Sequence, residues 1–140
     1  MIYFERPFVR IRWNEEFQCV ESEWLSFVFG APYREALEAA LKLHREKNSS
    51  RSLSDMRKAS VLVDDDAKWV LEDWIPRARA AGVLKFAMLR PASVVFQMQL
   101  EQMHRKGGGQ IAARLGIATE YFADLDEARR WLRSGAPGRR

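Results

Sequence analysis

Between Phe8 and Trp13 the chain reads Phe-Val-Arg-Ile-Arg-Trp, so Val9, Ile11 and Trp13 fall on one side of an extended backbone and Arg10 and Arg12 on the other. That two-residue period belongs to a strand with one buried face. From Tyr33 the period changes. Tyr33, Ala36, Leu37, Ala40, Leu41 and His44 recur at the three- and four-residue spacing of one helical face. A chain that alternates between these two periods buries its apolar surface by packing helices against a sheet.

The alternation continues to the C-terminus. Asn14-Glu15-Glu16 is a polar turn, and Gln18 to Phe27 resumes as a second strand, which predicts a β-hairpin. Gly30-Ala31-Pro32 opens the first helix, which runs to Asn48-Ser49-Ser50. A short strand is expected at Arg51 to Ser54, followed by a loop from Asp55 to Lys58. Asp64 is placed to cap the next helix, with Asp65 and Asp66 at the positive end of its dipole. Pro76 predicts a kink or a restart in that helix, and Gly82 predicts its end. Val83 to Leu89 is a mostly apolar run, as an interior strand requires. In the third helix Phe96, Leu100 and Met103 make one stripe, which stops near Lys106-Gly107-Gly108-Gly109, read as a flexible connector or lid. The residues from there to Gly116 show no clear period, and Ile117 to Phe122 is a last strand. Asp124 and Glu127 have the spacing of a capping box, and Leu125, Ala128, Trp131 and Leu132 form the face of a final helix. The predicted order is β-β-α-β-α-β-α-β-α, an α/β fold with a mixed central sheet.

With 140 residues, 47% of them hydrophobic, one domain over residues 1–134 is expected, followed by a flexible basic tail at 135–140. No run of roughly 18 apolar residues offers a transmembrane segment. Met1 to Pro7 lacks the features of a signal peptide, and Cys19 is a single cysteine, so a reducing cytoplasm is the expected setting. The net charge of +4 falls to +2 on the body once Arg139 and Arg140 are set aside, and the other arginines alternate with acids. No basic stripe with interleaved aromatics appears, so no specific nucleic-acid partner is expected.

No reaction is written in the residues. Cys19 lies mid-strand without a base, His44 sits on the apolar face of its helix, and His104 falls near a helix end. Asp64-Asp65-Asp66 lacks the spacing of a calcium loop, and zinc spacings cannot be written with one cysteine and two histidines. The expectation is a non-enzymatic protein with no metal and no cofactor.

Three stretches carry a resemblance: Leu53-Ser54-Asp55-Met56-Arg57-Lys58, Trp69 to Ala78 running into Ala81-Gly82, and Tyr121-Phe122-Ala123-Asp124 with Glu127-Ala128 and Trp131-Leu132. In these the chain resembles the SpoIIAA-like group, whose best-known members are STAS domains, and more closely the small uncharacterised bacterial proteins of that group. The resemblance implies a regulatory domain that works by protein contact, as a homodimer or with a separate partner. The group's phosphorylated antagonists carry Ser or Thr directly behind an aspartate. Here Met56 follows Asp55, which leaves Ser54 and Ser60 as the neighbouring serines open to modification.

Regular helical geometry turns Trp69 away from the stripe of Ala67, Val70, Leu71 and Trp74, so Trp69, Asp73 and Pro76 form a candidate partner-binding patch. Cover from a loop or a helix rotated at Pro76 is the alternative. Asp55, Arg57 and Lys58 make a candidate polar-ligand or contact loop, with a structural ion pair as the plainer account. Phe96, Met98, Leu100 and Met103, beside the glycine-rich segment, make a candidate apolar pocket, and resemblance to lipid binders of the CRAL-TRIO type implies a small apolar ligand there.

Overall fold

The computed structural model describes residues 1–134, so the tail expected at 135–140 lies outside the described residues. Six strands form one mixed sheet in which spatial order equals chain order: β1 (Ile2–Arg6), β2 (Val9–Asn14), β3 (Cys19–Trp24), β4 (Arg51–Asp55), β5 (Lys85–Leu89) and β6 (Ala118–Phe122). The first three strands form an antiparallel meander, and β3 to β6 run parallel. Parallel neighbours require crossovers. They are supplied by α1 (Ala31–Lys47) after β3, by α2 (Asp64–Trp69) and α3 (Ile75–Ala80) after β4, and by α4 (Val94–Met103) and α5 (Gly109–Leu115) after β5. The last helix, α6 (Leu125–Arg133), follows β6.

Three successive crossovers that step one way across the sheet and share one hand place their helices on one face. The core divides accordingly. Leu41, Trp74, Ala78 and Phe96 pack with Ile11 and Phe86 in the larger cluster, whereas Ala128 and Leu132 of α6 pack with Cys19, Leu53, Ala87 and Leu89 on the opposite face. Strand alternation does the sorting: Leu53 points toward α6 while Ser52 and Ser54 point the other way. On α6, Arg129 makes a bidentate ion pair with the buried Glu21 of β3 at 2.8 and 2.9 Å, and Asn14 donates to the same carboxylate at 2.8 Å. Burial alone would raise the Glu21 pKa, but these bonds outweigh it and hold the group below its usual value.

Four expectations need correction. Ile2 to Arg6, read only for what it lacks as a leader, is an edge strand; its half-exposed residues carry no clean alternation. The second strand is shorter than expected, beginning at Cys19 after Gln18 turns with φ 54° and ending at Trp24. Val63, not Asp64, is the N-cap of α2, without a side-chain cap bond. Asp66 is instead buried, accepting from the Gly30 N–H at 2.8 Å and from Arg34 Nε at 3.1 Å, and so ties α2 to the start of α1. Pro76 does mark a restart: a π-turn at Val70–Trp74 follows α2, and α3 begins at Ile75 with the proline in its first turn, the Ile75 N–H reaching back to the Val70 carbonyl. The glycine segment, in contrast, is no open connector. His104–Gly108 is a kink joining two helices, made where Gly107 takes φ 131°, and the unassigned residues beyond it are α5.

Candidate functional site

Between the sheet and the three crossovers lies a cavity of about 220 Å³. Its floor is drawn from β3 to β6. Val20 lies opposite Ser52, Ser22 opposite Ser54, Ser54 opposite Met88, and Met88 opposite Tyr121, so four adjacent strands present one row of side chains. Parallel strands covered on both faces ordinarily carry Val, Ile or Leu throughout. Here Ser22, Ser52 and Ser54 occupy such positions, and each lacks the branched volume that would reach the helices. The cavity is the space those side chains would fill.

The roof comes from the π-turn at Val70–Trp74 and from the kinked turn at His104–Gly108. Leu71 and Trp74 of the first and His104 and Gly108 of the second line the cavity. A Cβ on Gly108 would stand 2.9 Å from the Met103 carbonyl oxygen and 3.4 Å from Leu71 Cδ2, so the two turns pack as close as glycine permits. Trp74 is anchored by its indole N–H, which donates to the Leu37 carbonyl at 2.9 Å. At the rim, Gln99 clasps the loop before α2: its Oε1 accepts from the Leu62 N–H at 2.9 Å and its Nε2 donates to the Leu62 carbonyl at 2.6 Å. Phe27, 49% exposed, borders the opening and stacks on Phe29 at 5.7 Å.

Among the described residues no aspartate, glutamate, lysine or arginine lines this space. Its polar groups are chiefly hydroxyls, joined by His104. Ser22 and Ser52 are buried residues and Ser54 and Tyr121 half-buried; none of the four side chains hydrogen-bonds within the described residues, and their oxygens stay accessible from the cavity. Burial raises the Tyr121 pKa, with Arg90 opposing, so its phenol stays protonated at neutral pH.

The candidate residues separate. Phe96, Leu100 and Met103 line the cavity, as does Ser54 on its floor, while Ser60 is an exposed residue at its border. Met98 is a correction: at 56% exposure it lies on the outer side of α4. Trp69 is a second correction. Its ring is half-buried, faced by the guanidinium of Arg34 at 5.1 Å and of Arg77 at 5.8 Å. Arg77 also bridges Asp73 at 2.8 Å and Glu38 at 2.6 Å, so the exposed Asp73 is engaged in an ion-pair cluster that joins α3 to α1, while Pro76 is half-buried. Angular arithmetic on one helix could not include cover from its neighbour. Asp55 accepts from Arg57 Nε at 3.0 Å, Nη2 at 2.8 Å and its backbone N–H at 3.1 Å, closing a turn, with Lys58 exposed beside it. Burial would raise the Asp55 pKa, but the Arg57 bonds hold it low.

Sequence reasoning missed Ser22, Ser52, Tyr121 and Gln99. The available signal was Arg51-Ser52-Leu53-Ser54-Asp55, an interior strand whose polar alternation has no water to face.

The described residues contain no group of three or more His, Cys, Asp or Glu placed to hold a metal, and no helix among them is long and apolar enough to cross a membrane. Comparison of the chain with protein-family models, with curated proteins and with solved structures returns no match.

Proposed function

We propose that this protein binds a small, largely apolar molecule in the cavity between its sheet and its crossover helices, as a non-enzymatic carrier or sensor in the cytoplasm. One observation carries the reading: a space of about 220 Å³ with a mainly apolar lining between the sheet and its crossover helices. An apolar cavity of roughly 150 Å³ stays dry and accepts benzene, so by proportion this one takes about nine non-hydrogen atoms. The π-turn at Val70–Trp74 lies on its wall, and such turns are frequent at functional positions.

The STAS-like reading, contact with a second copy or with a regulatory partner, is supported by the exposed Phe27 and Phe29 pair rather than by Trp69. Native mass spectrometry of protein purified from cells separates the two. A monomer carrying the mass of a small molecule, released on denaturation, is the expected result. A ligand-free dimer favours the contact reading, and an empty monomer with no thermal shift across a panel of small apolar compounds overturns the ligand reading.

A further inference from the structure

We infer that the cavity selects a neutral ligand bearing one hydrogen-bonding oxygen, a phenol, alcohol or ketone, and that the hydroxyls of Ser22 and Ser54 read that oxygen. The inference rests on the ligand-binding reading above and adds what the ligand must carry.

Adjacent strands lie about 4.8 Å apart, so the paired Ser22 and Ser54 present two hydroxyls on neighbouring strands of one face. Tyr121 stands two strands further along the row, beyond Met88. Neither serine hydroxyl has a partner among the described residues, and both keep access to a space that is otherwise mainly apolar. One oxygen on the ligand lying between Ser22 and Ser54 reaches both, because a serine hydroxyl both donates and accepts. A hydrocarbon filling the same space would take the two hydroxyls out of water without replacing their hydrogen bonds. An anionic ligand would enter a site in which no described lysine or arginine lines the wall, and an ion buried without a counter-charge is strongly disfavoured. Small polar residues at the floor of an apolar pocket supply orientation and specificity while the surrounding apolar walls supply most of the affinity.

The test uses three probes of matched size: 4-ethylphenol, its hydrocarbon isostere 4-ethyltoluene, and 4-methylbenzoate, titrated by calorimetry into the full chain at neutral pH. The phenol is expected to bind about tenfold or more tightly than either competitor, the margin of one good hydrogen bond. In the variant carrying both Ser22→Ala and Ser54→Ala, the preference over 4-ethyltoluene is expected to shrink to about twofold, with hydrocarbon affinity unchanged or improved. Equal wild-type affinity for phenol and hydrocarbon overturns the inference while leaving the ligand-binding reading intact, as does tighter binding of the benzoate. Failure of all three to bind overturns both. The wild-type comparison stands without the variant, whose folding is checked by circular dichroism.

Discussion

His44 holds a neutral imidazole at zero exposure inside α1. A carbonyl only accepts, so the contact of Nδ1 with the Ser49 oxygen at 3.2 Å places the ring proton on Nδ1 and leaves Nε2 a bare acceptor without a partner among the described residues. Burial lowers the His44 pKa to about 4, against the smaller opposing effect of the Ser49 bond. In the unfolded chain it returns to about 6.5. Between these values the unfolded state binds a proton that the native state refuses, so stability is full above pH 6.5 and falls by roughly 3 kcal/mol as pH drops toward 4. Urea unfolding at pH 7 and pH 4.5 checks this, with His44→Leu expected to retain most of the stability that the wild type loses. An identical loss in both proteins would sink the account. Glu21 and Asp55 interfere little above pH 4.5: although burial raises both, their arginine bonds hold each below its usual value, so their contributions disappear at still lower pH. The residue's face was legible from its spacing, whereas its depth depended on the strands beneath α1.

At the scale of elements, the π-turn at Val70–Trp74 and the kink at Gly107 are where local preference and packing part company. Pro76 has no N–H to return to the preceding turn, and the π-turn before it carries the chain into α3 across that break. Three consecutive glycines have poor helix propensity, yet Gly108 and Gly109 both take helical angles because tertiary packing holds them. Their substitution should separate cleanly. In Gly108→Ala the added Cβ meets backbone, the Met103 carbonyl oxygen at 2.9 Å, which cannot move without opening the turn. A loss of about 1–3 kcal/mol is expected. In Gly109→Ala the Cβ falls 2.5 Å from the His104 ring, an exposed side chain that can swing aside, and a gain of up to about 1 kcal/mol from helix propensity is expected. Chemical denaturation of the two variants decides; equal effects would mean that the close approach to Met103 is not limiting. Elements whose signals are local were plain in advance. The α6 cap is one, with Asp124 Oδ2 accepting from the Glu127 N–H at 2.9 Å.

For the whole molecule, the cavity decides what its floor tolerates. Ser54→Val adds apolar volume on the cavity floor in a residue suited to a strand. It is expected to raise stability by about 1 kcal/mol, from roughly 0.8 kcal/mol per buried methylene less some strain. Urea unfolding of the variant reads the change, and a loss of stability would mean that the floor has no room for the added methyl groups. The alternation of Val9, Ile11 and Trp13, the stripe of α1 and the apolar run of β5 were sufficient by themselves to specify an α/β protein with a mixed sheet, because each depends only on residues adjacent along one backbone. The edge strand β1, the Arg34 and Arg77 cover over Trp69, the partnership of Asp66 with α1 and the serine-floored cavity depended on which segments meet across the sheet. Those meetings join residues far apart in the chain, and no periodicity within one segment records its neighbour; only the tertiary structure brings Ser22, Ser54 and Tyr121 to one wall.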